Sequence, residues 1–230
     1  MRHGEVTVRI HTMFLTAAFA TFDVLYFLRS WMLTTYESIS KDPIEPSTKP
    51  PKIPHHVCIA IIEPEINLVD VAKLVVWAAR ENSIWVTVWD PQGQLKRESK
   101  QLEKAVANFQ AAEGGTPVPF AFIVGGGSID SADVVKVNIL SLEDGRDDIV
   151  KAARSFSAAV KNGEASCDSL TKDTFRNWLT VQTPDLDLVL KFGGGDSLHG
   201  ILPWQLRVSE IYLLKTHRNV TIDEYDMLMQ

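Results

Sequence analysis

Cysteine is scarce in this sequence. Cys58 and Cys167 are the two in 230 residues, too few for a disulfide scaffold and without the paired spacing of a metal centre. Both read as small, buried apolar residues. The six histidines, His3, His11, His55, His56, His199 and His217, form no i, i+4 pair and no metal set with the cysteines, so they read as exposed loop residues. Basic residues are outnumbered, 23 Lys and Arg against 29 Asp and Glu, for a net charge of −6. A chain whose affinity came from neutralising phosphates would show the opposite balance, so nucleic acid is excluded as a partner. Thirteen glycines and eleven prolines are too few for a fibrous repeat, and 45% hydrophobic against 23% charged residues excludes disorder. No Gly-x-Ser-x-Gly elbow and no Walker loop occur, which removes the hydrolase triad and the P-loop.

What remains is a globular chain with room for one core and an appendage. The appendage is at the front. Ile10 to Leu33 is an apolar run long enough, if helical, to cross a ~30 Å hydrocarbon core. Asp23 sits in its middle, at a cost of roughly 2.5–3.5 kcal/mol that the surrounding Leu, Phe and Val residues only about offset. A single span, a helix in the membrane interface and a buried helix all fit this run. Membrane attachment over residues 10–33 is the expectation, because Tyr26, Arg29 and Trp31 cluster at its C-terminal end. Pro43, Pro46, Pro50, Pro51 and Pro54 then forbid helix. The chain therefore divides into a membrane-anchor segment over 1–39, a Pro-rich linker over 40–55 and a folded domain over 56–230.

Within that domain apolar runs and helical periods alternate. Val57 to Ile62 reads as a strand covered on both faces, and Asn67 as the N-cap of a helix carrying Leu68, Val71, Ala72, Val75 and Ala79. Ile84 to Asp90 reads as a β-branched strand ending in the turn Asp90-Pro91-Gln92-Gly93, and Leu95 to Ala112 as one helix. Two more strands fit the run before Gly125 and Val134 to Leu140. A helix with Asp147 and Asp148 first and Lys161 last would put Ile149, Ala153, Phe156 and Val160 on its buried face. A short helix over Thr171 to Leu179 precedes Leu186 to Leu190, read as the last central strand, and Thr221 with Glu224 makes a capping box. Such alternation predicts an α/β fold, a mainly parallel central sheet flanked by helices, whose ligands sit beyond the carboxyl ends of the strands.

Two glycine triplets follow strands there, Gly125 to Gly127 and Gly193 to Gly195. Either could cradle phosphate through backbone N–H groups, or simply let the chain leave a strand.

Beyond these features, three blocks carry a resemblance: VVWAARENSIWVTVWDPQGQLKR, LSLEDGRDDIVKAARSF and PDLDLVLKFGGGDSLHGILPWQLRVSEI. The last resembles the C-terminal block of the cis-prenyltransferases, and the three together resemble the Nogo-B receptor family, the accessory subunit of the eukaryotic cis-prenyltransferase (dehydrodolichyl diphosphate synthase) complex. Catalytic members carry Asp-Gly-Asn-x-Arg-Trp after the first strand, where this chain has Glu63-Pro64-Glu65. They also carry arginines at the end of the last central strand, where Lys191 and Gly193, Gly194, Gly195 and Ser197 form a diphosphate-loop remnant. The resemblance thus implies no catalytic residue and no metal on this chain, with Mg²⁺ held by a catalytic partner. It places Trp204, Gln205, Arg207 and Glu210 at or near the partner interface, Glu210 matching a metal-binding Glu of many catalytic members. The Arg-x-Gly with which family members end is not among the residues up to Gln230.

The implied function is an accessory subunit that stabilises and activates a catalytic cis-prenyltransferase. That partner condenses isopentenyl diphosphate onto farnesyl diphosphate, making the polyprenyl diphosphate precursor of dolichol for protein glycosylation. The implied location is the endoplasmic reticulum membrane, with the folded domain in the cytosol. The alternative is a membrane-anchored receptor or scaffold that binds lipids or proteins without a prenyltransferase partner.

Overall fold

Val57, Ile59 and Ile61 point to one side of the first strand, and Cys58 and Ala60 to the other, and all five are fully buried. A strand of this kind needs cover on both faces, and the rest of the fold supplies it. The structure, a computed structural model, describes residues 53–229 apart from positions 82, 115, 128–130 and 132. The expected anchor over 10–33 and most of the linker lie outside the described residues, among which no helix is long and apolar enough to cross a membrane.

Strand β1 (His56–Ile61) leads into helix α1 (Leu68–Arg80), capped as expected by Asn67, whose side chain accepts from the Val69 and Asp70 N–H groups. Strand β2 (Trp85–Asp90) ends in a carboxylate that organises the next turn: Asp90 accepts from the N–H groups of Gln92, Gln94 and Leu95. The single helix expected over Leu95 to Ala112 is broken at Glu98 into α2 (Gln94–Arg97) and α3 (Ser99–Glu113). The break has a packing reason. It lets α2 seat Leu95 against the exits of β2 and β4 while α3 turns Leu102 and Val106 toward α1.

Strands β3 (Phe120–Val124) and β4 (Val135–Ser141) follow, then a 3-10 turn and helix α4 (Arg146–Lys161). A short helix α5 (Lys172–Arg176), strand β5 (Leu188–Phe192), strand β6 (Glu210–Leu214) and helix α6 (Ile222–Leu228) complete the described chain. The strand expected over Leu186 to Leu190 therefore lies two residues later. It is also not the last, because β6 pairs with it through Leu190 opposite Tyr212. All six strands are parallel, in the order β3-β4-β2-β1-β5-β6.

Two cores result. One contains Ile59, Ile61, Leu74, Leu102 and Tyr225 beneath α1, α3 and α6. The other contains Cys58, Ala60, Trp89, Leu140 and Val189, covered by Val181, Leu186, Ile201 and Leu202. Helix α4 departs from the face predicted for it: Asp148, Ala152 and Ala159 are buried, Ile149, Phe156 and Val160 only half-buried, and Ala153 exposed. The helix is rotated because the Asp148 carboxylate turns inward to accept from the Thr180 and Val181 N–H groups. Cys58 is buried, and burial pushes its thiol up. Cys167 is exposed, contrary to expectation, because it sits in a 3-10 turn at the surface.

Candidate functional site

Connections leave β1 toward β2 on one side and β5 toward β6 on the other, so the strand order reverses between β1 and β5. In open parallel sheets the crevice at such a reversal, beyond the carboxyl ends, is where ligands bind. Here it is bounded by Glu63 to Glu65 after β1 and by Lys191 and the glycine triplet after β5.

The glycine loop is closed on itself. Lys191 is fully buried, and its ammonium donates to the carbonyls of Gly193 (3.2 Å) and Gly195 (2.6 Å). Burial pulls its pKa down, with the Asp196 carboxylate acting the other way. Carbonyl oxygens thus converge at the loop, the reverse polarity of a phosphate cradle. Ser197 is also engaged locally, its Oγ accepting from the His199 N–H. Gly193 has φ +104, and a Cβ there would come within 3.2 Å of Glu63 Cγ and of the Glu63 and Ile62 backbone. Only glycine lets the two strand exits press together this closely. The first triplet packs in a similar way: the Gly127 N–H donates to Thr180 O, and a Cβ on Gly126 would meet that oxygen at 3.0 Å.

From the β1 side the crevice is filled by the chain that follows β6. Glu63 accepts from the His217 backbone N–H (2.7 Å), the His217 Nδ1 (2.7 Å) and the Thr216 hydroxyl (2.8 Å). Burial alone would raise the Glu63 carboxyl, but these hydrogen bonds outweigh it and hold the group below its ordinary value. The fully buried His217 uses its other nitrogen as well, accepting the Asn67 N–H at Nε2 (2.8 Å). A backbone N–H can only donate, so Nε2 is bare and the proton sits on Nδ1. Glu65 pairs with Arg218 (2.9 Å). The Glu63 carboxylate is thereby committed to the protein itself and does not fit a magnesium ion, while Glu65 sits in a solvent-exposed ion pair. Among the described residues no group of three metal-ligating side chains occurs. Sequence reasoning missed Glu63 with His217, which stand 154 positions apart; neither residue has a local motif.

The residues expected at a partner interface are brought near one another but face different ways. Trp204 is half-buried against Phe175, with ring centroids 4.9 Å apart. Gln205 is buried, its side-chain amide donating to Val181 O (3.1 Å), so in this chain it ties two loops of the second core. Arg207 is exposed and reaches Asp185 (3.4 Å), which also binds Arg176. Glu210 is exposed at the start of edge strand β6. Beside it Val208, Ile211 and Leu213 are 94%, 40% and 57% exposed. Apolar side chains so placed on an open sheet edge form a surface suited to another chain.

A separate open cleft of about 370 Å³ lies at the exits of β2 and β4, lined by Gln92, Gly93, Lys96, Ser141, Glu143 and Asp147 among others. Its lysine is already satisfied: Lys96 bridges Glu143 (2.6 Å) and Asp144 (2.5 Å). Partial burial would lower its pKa, but the two carboxylates overcome that and hold it above its ordinary value.

Comparison with known proteins agrees with this geometry. Residues 129–219 match the family model described as putative undecaprenyl diphosphate synthase. The dehydrodolichyl diphosphate synthase complex subunit NUS1 of Homo sapiens is 35% identical over 182 residues, 76% of this chain and 62% of that protein. Its Schizosaccharomyces pombe counterpart is 27% identical over 187 residues, 75% of this chain and 72% of that one. This chain thus spans about three fifths of the length of the human relative. Lavandulyl diphosphate synthase from Lavandula x intermedia shares the fold, with a TM-score of 0.56 at 19% identity over 77% of this chain and 94% of that structure.

Proposed function

We propose that this chain, a relative of the NUS1 subunits of dehydrodolichyl diphosphate synthase complexes, is the non-catalytic subunit of such a complex. The observation that carries the reading is the shut crevice. A site for two diphosphates needs forked cations, a metal carboxylate and space. Here the lysine is capped by its own loop, and Glu63 is bound by His217 and Thr216. The chain contributes instead by binding a catalytic cis-prenyltransferase along the β6 edge, where Glu210, Val208, Ile211 and Leu213 are exposed. The partner holds Mg²⁺ and condenses isopentenyl diphosphate onto farnesyl diphosphate to give the dolichol precursor. Residues 10–33 attach the complex to the endoplasmic reticulum membrane, where a polyprenyl product partitions.

The test is isopentenyl incorporation by the chain alone, by a catalytic subunit alone and by the two together. The chain alone is expected to be inactive and the pair more active than the catalytic subunit by itself. Turnover by the isolated chain overturns the proposal. Purification from cells with no prenyltransferase attached would favour the receptor or scaffold reading. Titration with farnesyl diphosphate is expected to give no saturable binding, and a saturable isotherm would contradict the closed crevice.

A further inference from the structure

The turn Thr216–Asn219 lies in the crevice as its resident occupant. Seven hydrogen bonds hold it to the loop and first turn that follow β1, the last two running from Arg218 to the Glu65 carbonyl (3.3 Å) and carboxylate (2.9 Å). Three end on Glu63, from the Thr216 hydroxyl, the His217 N–H and the His217 ring. The fourth runs from the Asn67 N–H to His217 Nε2, and the fifth from the Asn219 N–H to Asp70 Oδ2 (3.3 Å). Asn67 is also the N-cap of α1, so the same few residues start one helix and fasten the approach to another.

The helix being approached needs that help. α6 has seven residues, well below the roughly 12–15 at which an isolated helix becomes even marginal in water. Its internal support is the reciprocal Thr221–Glu224 capping box, and its one fully buried side chain is Tyr225, 5.6 Å from the Trp77 ring of α1. A helix held by one buried aromatic, the partly buried Leu228 and one cap stays docked only if the chain entering it is fixed.

We propose that Glu63 and His217 form a latch that fixes this entry, so that the 216–228 segment is docked as one cooperative unit in the free chain, before any partner binds. The position that faces a ligand in open parallel sheets is thereby used as a socket for the chain's own C-terminal segment. This inference does not depend on the subunit reading, because every contact in the latch is internal to the chain. Glu63→Gln keeps the size of the side chain and removes the charge and one acceptor from the buried His217 pair, and the segment opens locally while the sheet stays folded.

Amide hydrogen exchange of the full chain tests it. In the wild type, amides 216–228 should be protected. In Glu63→Gln they should exchange at least about tenfold faster, the size expected from losing a charge-assisted bond, with β1, β2, β4 and β5 unchanged. Glu164→Gln, at an exposed carboxylate just past the end of α4, should leave the segment as in the wild type. If Glu63→Gln unfolds globally, Thr216→Val removes the hydroxyl that donates to Glu63 and accepts from the Arg218 N–H, and should accelerate exchange over 216–228 alone. Unprotected exchange of that segment in the wild type overturns the latch, as does an equal response of Glu63→Gln and Glu164→Gln, or no response of Thr216→Val.

Discussion

On one face of the sheet Leu74, Leu102, Val106 and Tyr225 reach the core from helices. On the other, Val181, Leu186, Ile201 and Leu202 reach it from loops. Helices bring a periodic stripe that covers strands with little polar cost, because their backbone is already hydrogen-bonded. Loops bring unpaired backbone N–H and C=O groups with them, and these must be satisfied one by one. Asp148 does this for Thr180 and Val181, Gln205 for Val181, and the His56 ring for Pro184, its other nitrogen being held on the Thr87 hydroxyl of β2. The helical face is therefore held by volume and the loop face by specific contacts.

That contrast can be broken in order of expected effect. Ile59→Ala, beneath the helices, should lower the unfolding free energy by about 2–5 kcal/mol in urea denaturation. A loss under about 1 kcal/mol would mean the helical face is loosely packed. His56 supports the loop face, and burial pushes its ring down to about 4, with the Pro184 carbonyl and the Asp187 carboxylate acting in the other direction. Its folded pKa lies below the unfolded value near 6.5, so its stabilising effect is complete above that value and declines as pH falls toward 4. Stability measured across pH 7 to 4 should fall, and the fall should be shallower in His56→Gln.

Gly145→Ala should cost about 1–3 kcal/mol, because a Cβ there collides with the Gly200 carbonyl oxygen. Faster amide exchange at 198–202, with α1 unaffected, would assign that loss to the loop face. Leu213→Ser, on the open β6 edge, should change the stability of the free chain by no more than about 0.5 kcal/mol. It should nevertheless weaken association with a catalytic subunit in a pull-down, and undiminished association would remove the β6 edge from the proposed interface.

Much of the helical face was legible. Asn67 as a cap, the α1 stripe and the Thr221–Glu224 box are all set by residues within a few positions of one another, and each stands as expected. The β6 strand was missed although Glu-Ile-Tyr-Leu-Leu is an apolar run of strand length. Its first two residues close the block that carries the family likeness, and a short run of this kind does not declare its partner. The rotation of α4 was hidden for another reason. Its apolar stripe pointed correctly to a helix, but the inward turn of Asp148 answers to Thr180, 32 positions away.

The candidate site divides the same way. The sequence alone determined that Glu63-Pro64-Glu65 and Lys191-Phe192-Gly193 stand where the resemblance implies a metal-binding motif and an arginine clamp in catalytic members. Composition and alternation likewise determined an acidic α/β chain, because apolar periodicity is a local property. Only the tertiary structure decided that Lys191 is capped by its own loop and that Glu63 is bound by His217. Those outcomes depend on parallel strands placing β1 beside β5 and on the chain after β6 returning over both, and no spacing along the sequence encodes which distant backbone a buried charge will meet.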